Sequence, residues 1–155
     1  MKDIPLSEIT LRKYEKPINL EKRELIRKIC LSLGLLQLGD SRDIIIDIIM
    51  VLIESRYENK RLSSEEIILR TNKIRKKYNL DAKGLTESNV RRQLKRLRDA
   101  MLVDKQNNFY SLHENESLRN IFEKNIEKFL VPQIVNRVKE YLEELEKDTD
   151  HNRYI

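Results

Sequence analysis

A run of ten residues from Ile44 to Ile53 constrains the fold more than any other feature, because nine of its side chains are apolar and only Asp47 is charged. A helix that is apolar on nearly all sides lies in the centre of a domain. The run is also too short to span a bilayer. We therefore expect a buried central helix from Arg42 to about Tyr57, started by Asp40 or Ser41, and no membrane partner.

The composition favours a single helical domain. The chain has 155 residues with three glycines and three prolines, which excludes collagen-like and low-complexity classes. With one cysteine and two histidines, neither a disulfide framework nor an ordinary zinc site is expected. The N-terminus lacks the apolar segment of a signal peptide, so we expect a cytoplasmic protein.

No arrangement of catalytic side chains stands out. Asp43, Asp47 and Glu54 share the polar stripe of the central helix, and we interpret them as solvated or salt-bridged rather than as paired catalytic carboxylates. Cys30 lies in an apolar helix stripe and is expected to be structural. Two scattered histidines do not allow a catalytic triad to be proposed. We expect no enzyme activity, no catalytic residue, no cofactor and no metal.

A strong helix-start signal follows the central helix. Ser63 and Glu66 have the spacing of a capping box, in which each residue bonds the other's backbone N–H. Leu62 and Ile67 occupy the two positions of a hydrophobic staple around it. A helix is therefore expected from Ser63 to about Tyr78.

A second start signal and a hairpin pattern come next. Thr86 is the expected cap of a helix that runs to about Ala100. Two short apolar runs, 102–105 and 109–112, flank the polar residues 106–108. Apolar runs around Asn-Asn are typical of a β-hairpin.

Positive charge is concentrated in the middle third of the chain. Residues 56–105 contain fifteen Lys or Arg and seven Asp or Glu, whereas residues 1–55 contain nine of each and residues 106–155 contain seven and ten. Phosphate binding needs positive charge gathered on one surface. A solvated helix face is the alternative interpretation of such a block.

The predicted elements come in the order helix, short link, helix, loop, helix, hairpin. The last helix and the first strand of the hairpin have the sequence Leu85-Thr86-Glu87-Ser88-Asn89-Val90-Arg91-Arg92-Gln93-Leu94-Lys95-Arg96-Leu97-Arg98-Asp99-Ala100-Met101-Leu102-Val103. This order and this segment resemble those of winged helix-turn-helix transcription regulators of the prokaryotic, archaeal type. The resemblance covers about residues 41–112 and departs at Met101, where many relatives have glycine. It implies a mainly α fold with a small β-hairpin wing, a recognition helix at 87–100 and a wing at 102–112.

The helix at 87–100 has two unlike faces. An apolar face, formed by Val90, Leu94, Leu97 and Met101, lies opposite a cationic one. A helix in the major groove needs N-terminal side chains at base edges and basic residues near phosphates. The expected DNA-binding residues are Ser88, Asn89, Arg91, Arg92, Lys95 and Arg96, with Lys105 in the wing. We expect Ser88 and Arg92 to face the base edges, and Asn89 and Lys95 to lie beside them.

These observations predict a sequence-specific regulator that binds double-stranded DNA. A winged helix used as a protein-interaction or scaffold module of a larger complex is the alternative, although such modules lose the cationic face. RNA binding is a weaker option, because no aromatic-rich strand platform for stacking unpaired bases is present.

The helices outside the resemblance suggest a homodimer. We expect an N-terminal arm and helix within residues 1–40, with Asn19 capping a helix to about Leu33, and a C-terminal dimerisation segment within 113–155, divided by Pro132. After the proline, an apolar stripe recurs at the 4-3-4 spacing of a coiled-coil seam: Ile134, Val138, Tyr141 and Leu145. Folding of these helices back onto their own domain is the competing interpretation.

Overall fold

The computed structural model describes residues 3–37 and 43–153 of the chain, with side chains through residue 148. This part is mainly helical and contains one three-stranded antiparallel sheet. The first elements are α1 (Lys22–Ser32), α2 (Ile44–Tyr57), β1 (Leu62–Ser63), α3 (Ser64–Lys77), α4 (Glu87–Asp99), β2 (Val103–Gln106) and β3 (Phe109–Leu112). A 3-10 turn (His113–Asn115) leads to α5 (Leu118–Ile121), a π-helical segment (Phe122–Leu130) and α6 (Val131–Arg153).

The predicted central helix is confirmed. From Ile44 to Leu52 no side chain of α2 is more than 5% exposed, and the helix packs against α1, α3, α4 and β3. Burial on every side follows from a sequence that is apolar on nearly every side. The predicted start at Asp40 or Ser41, and Arg42, lie outside the described residues.

Asp43 and Asp47 of the polar stripe of α2 are salt-bridged, as one of the two interpretations allowed, and Asp47 lies inside the domain rather than on its surface. Asp47 is completely buried and Asp43 is partly buried, and both carboxylates bind Arg23 of α1 and Arg75 of α3. Glu54, two turns beyond Asp47, is exposed. The central helix thus carries its charges inside the domain because two arginines neutralise them there.

Two of the three predicted helix caps are confirmed. The Ser63 hydroxyl accepts from the backbone N–H of Glu66, whose carboxylate accepts from the N–H of Ser63, which completes the capping box of α3. The Thr86 hydroxyl accepts from the N–H of Asn89 at the start of α4. The prediction for Asn19 is wrong: its φ is 56°, and α1 begins at Lys22 without a side-chain cap.

The first four helices end in the same way. After each last turn comes a residue with positive φ, and these residues are Gly34, Asn59, Asn79 and Met101. At the end of α4, for example, the N–H of Met101 donates to the carbonyl of Arg98 and the N–H of Leu102 to that of Leu97. This pair of bonds defines the Schellman motif. Met101 thus takes the left-handed position where glycine is expected in similar sequences.

The predicted β-hairpin is confirmed and gains a third strand. β2 and β3 pair antiparallel around Asn107 and Asn108, whose φ values of 52° and 64° give the mirror-image turn that suits a two-residue hairpin. The two-residue strand β1 pairs with the outer side of β3, which gives the order β1-β3-β2. The sequence does not predict β1, because two residues are too few to show the alternation of apolar and polar side chains that marks a strand.

The prediction that Pro132 divides the C-terminal helix is wrong. Helical structure is continuous from Leu118 to Arg153, and the π-helical segment lies directly before the proline. In this segment the N–H of Val131 donates to the carbonyl of Ile126, five residues back. The wider turn displaces the carbonyl that an α-helical turn would press against the proline ring, so the helix continues.

The first part of this long helix folds back onto its own domain. Ile121 and Ile126 are completely buried in the core that α1 and α2 share, and the Asn125 amide donates to the carbonyl of Met101 at 2.7 Å. The segments predicted as separate units, 1–40, 41–112 and 113–155, therefore contribute to one hydrophobic core. Among the helices of residues 3–37 and 43–153, none is both long and apolar enough to cross a membrane.

Candidate nucleic-acid interface

Helix α4 presents the two faces that its sequence predicts. Val90, Leu94 and Leu97 are at most 1% exposed and attach the helix to the core. The outward-facing side chains are Glu87, Ser88, Arg91, Arg92, Lys95, Arg98 and Asp99, four of which are basic and two acidic. The Schellman ending and the Thr86 cap fix both ends of the helix, so the cationic face has a defined position on the domain.

The cations on this face differ in how they are engaged. Arg91 pairs with Glu87 at 2.7 Å and Lys95 pairs with Asp99 at 2.9 Å, each one turn away on the exposed surface. Exposed pairs of this kind contribute little to stability and exchange readily for another anion. Among the described residues, the guanidinium groups of Arg92 and Arg98 have no hydrogen-bond or ion-pair partner. They are the α4 cations that an external anion reaches without first displacing a carboxylate.

Asn89 does not lie on the exposed face, which corrects its expected position beside Ser88. Its amide nitrogen donates to the carbonyl of Gly84 at 2.8 Å, and its amide oxygen accepts from Gln93. The side chain is half-buried and ties the loop before α4 to the helix. Its role here is to position the start of α4.

Arg96 is also turned towards the protein rather than outward. One guanidinium nitrogen donates to the carbonyl of Leu35 at 2.9 Å, and a second donates to Gln93 at 2.8 Å. Helical periodicity predicted that Arg96 lies on the cationic face. The prediction fails because periodicity carries no information about the segment that follows α1, whose carbonyl groups lie beside this side of α4. Arg96 satisfies carbonyl groups at the end of α1 instead of adding to the free charge.

The structure brings the hairpin next to the N-terminal half of α4. Arg91 and Lys105, which are 14 positions apart in the sequence, line one polar depression of about 430 Å³ between α4, the start of α3 and the hairpin. The Lys105 ammonium lies 5.8 Å from the centre of the Tyr110 ring. Two of the predicted phosphate-contacting residues therefore share one surface.

Other residues of this depression are not recognisable from the sequence. Ser63, Ser64 and Phe109 line it, and Phe109 is 42% exposed at the hairpin. Glu65 also lines it, and its pKa is lowered, first by a hydrogen bond from its own backbone N–H and to a smaller degree by the charge of Arg91. The sequence signal at Ser63, Ser64 and Glu65 is the capping box, and that at Phe109 is the hairpin pattern; neither indicates that the start of α3 and the hairpin are neighbours.

Comparisons of the chain with protein-family models, with curated proteins and with solved structures find no significant match.

Proposed function

We propose that the chain is a sequence-specific DNA-binding transcription regulator of the winged helix-turn-helix type. In this proposal α4 enters the major groove, the hairpin is the wing and lies along the adjacent backbone, and the target is double-stranded DNA in the cytoplasm. Ser88 and Arg92 reach base edges, and Arg91, Lys95 and Lys105 contact phosphates. The function requires no catalytic residue, metal or cofactor.

The observation that carries the proposal is the guanidinium group of Arg92, which has no partner among residues 3–37 and 43–148 and lies on the exposed face of a helix whose other face is packed in the core. An arginine in this position can bind guanine through two hydrogen bonds. The element order α2-β1-α3-α4-β2-β3 and the strand order β1-β3-β2 give further support, because they place a hairpin beside the exposed helix. Arg91 and Lys105 in one depression then supply the backbone contacts.

A winged helix reads few base pairs alone, so the proposal includes a homodimer that binds two half-sites about one or more DNA turns apart. Asn89 and Arg96 support the interface indirectly in this arrangement. They hold the ends of α4 to the loop at Gly84 and to the end of α1.

Selection of bound sequences from random duplex DNA with the purified protein tests the proposal. We expect a convergent motif made of two half-sites. Failure to enrich any sequence, with equally weak binding to all duplexes, would instead favour the protein-interaction module.

Arg92→Ala then tests the role of the helix. We expect a loss of about 1–3 kcal/mol on the selected site and a smaller loss on random DNA, because a base contact carries sequence information and a phosphate contact does not. Lys147→Ala on α6, which removes the same charge from an exposed side chain paired with Glu144, is the matched control and should change neither affinity. Equal losses on both DNAs would reassign Arg92 to the backbone.

A further inference from the structure

An apolar groove lies on the side of the domain formed by α1. It has a volume of about 540 Å³, and its walls come from the extended arm before α1, from α1 itself and from the start of the C-terminal helix. Leu25 and Ile29 of α1 line this groove and remain 38% and 40% exposed. Leu118 and Phe122 form the opposite wall. We call this surface the α1 groove.

A second apolar surface lies on α6, beyond the part of the helix that folds back. Val135, Val138, Tyr141 and Leu142 follow one another at spacings of three, three and one residues and are 44%, 53%, 73% and 52% exposed. We call them the α6 stripe. Leu145, the last residue of the predicted seam, is 62% exposed. Burial of such an apolar stripe against another surface stabilises the helix in water.

The two surfaces have opposite charge. Residues 10–33, which form the arm and α1 beside the groove, contain seven basic and three acidic residues, and one of the basic residues, Arg23, is already neutralised by Asp43 and Asp47. Residues 135–148, which contain the stripe and the residues that follow it, include three basic and five acidic residues. Opposite potentials across an interface fix its orientation and favour one partner over others.

We propose that the α6 stripe of one copy lies in the α1 groove of a second copy, and that the second copy returns the same contact. The result is a closed two-fold dimer in which the C-terminal helices run antiparallel. The inference rests on the homodimer of the proposed function, and its test uses no DNA, so the two can fail separately.

The dimensions of the chain agree with this arrangement. Each C-terminal helix starts at its own groove, and the middle of the stripe lies about 20 residues later, or about 30 Å along a helix. Two antiparallel helices with residue 120 of one near residue 140 of the other place the two-fold axis near residue 130.

Disulfide cross-linking of two single-cysteine additions tests the contact directly. Ile29→Cys places a thiol in the groove, and Leu142→Cys places one on the stripe. We expect a cross-linked dimer when the two variants are mixed under oxidising conditions and none from either variant alone. Leu142→Cys alone should not cross-link, because the two copies of residue 142 lie about 36 Å apart in an antiparallel pair with its axis near residue 130. The native Cys30 is completely buried and does not compete.

A charge placed on the stripe tests whether the contact holds the dimer. Val138→Glu should convert the protein to a monomer in sedimentation equilibrium at tens of micromolar and abolish the mixed cross-link. Asn136→Glu introduces the same charge on the opposite side of α6 and should change neither. Both positions are exposed, so circular dichroism should show an unchanged fold for both variants.

Three results would overturn the inference. One is a wild-type monomer at tens of micromolar, with the groove then open to a small apolar ligand. A second is a cross-link from Leu142→Cys alone, which indicates a parallel coiled coil of α6. The third is a dimer that gives no mixed cross-link, which places the interface elsewhere. Failure to select a DNA motif alongside a positive mixed cross-link would reject the proposed function and keep this contact.

Discussion

The guanidinium group of Arg75 on α3 lies 2.7 Å from the carboxylate of Asp47 on α2, and the two side chains are 5% and 0% exposed. Asp43 also accepts from Arg75, and Arg23 of α1 donates to both carboxylates. This cluster ties together the first three helices. Because Arg75 is buried in this cluster, its charge does not add to the positive surface charge expected from residues 56–105. The loop before α4 is held by the same residue, because Arg75 donates to the carbonyl of Asp81.

Arg75→Met should destabilise the fold by about 3–5 kcal/mol, because removing one partner of a buried pair leaves the other charge partly uncompensated. The free energy of unfolding in urea measures this change. Arg70→Met is the matched control: Arg70 also lies on α3 but pairs with Glu58 near the surface, so we expect about 0–1 kcal/mol. Similar losses in the two variants would contradict a special role for the buried cluster.

The same cluster predicts a loss of stability in acid. Burial acts to raise the pKa of Asp43, but hydrogen bonds from Arg23 and Arg75 outweigh it and hold the pKa below its ordinary value of 3.8. A depressed pKa in the folded state adds stability above the ordinary value, and this stability is lost as the pH falls through the folded-state pKa. Urea midpoints from about pH 6 down to about pH 3 should fall more steeply for the wild type than for Asp43→Asn. Parallel profiles would show that Asp43 does not contribute.

Cys30 should be inert in the folded protein. Burial raises the pKa of its thiol to about 12, although the charges of Arg96 and Arg27 act in the opposite direction. Since the thiolate is the reactive form, an aromatic disulfide reagent at about pH 8 should react only after denaturation. Rapid reaction of the native protein would show that α1 opens readily, and it would also require replacement of Cys30 before the cross-linking experiment.

Gly34→Ala should destabilise the end of α1. Gly34 has a φ of 72°, and an added Cβ would lie 2.6 Å from the Cβ of Thr10 in the arm. The left-handed conformation alone costs about 1–2 kcal/mol for alanine, and displacement of Thr10 adds to it. Thermal unfolding measures the total, and Thr10→Gly in the same chain should recover only the contribution of the contact. An unchanged melting temperature for Gly34→Ala would contradict both the left-handed conformation of Gly34 and its contact with the arm.

Binding to DNA, if the proposed function is right, should depend strongly on salt. Neutralisation of about six to ten phosphates by a dimer lowers the affinity about a thousandfold or more between about 50 and 200 mM salt. Fluorescence anisotropy with the selected duplex measures the slope. Lys105→Ala should reduce the slope by about one released ion per lost phosphate contact. Substitution of Arg96, whose guanidinium group donates to the carbonyl of Leu35, should instead lower the stability of the fold. A flat response would remove the nucleic-acid interpretation.

The sequence by itself determined the local elements, because their causes are local. The apolar run of α2, the capping box at Ser63, the cap at Thr86 and the Asn-Asn turn of the hairpin each act within a few residues. The two faces of α4 are local in the same sense, since helical periodicity alone separates Val90 from Arg92.

Tertiary structure decided which polar side chains are free, because that depends on segments distant in the chain. The main-chain carbonyl of Leu35, 61 positions away, takes Arg96 out of the cationic face. Arg75 is withdrawn by Asp47, 28 positions away. Pro132 stays within a helix because the preceding turn widens, and the first part of that helix folds back because Ile121 and Ile126 find room in the core. Periodicity shows which face of a helix is polar, but only the packed neighbours determine which charges on that face remain available for a partner.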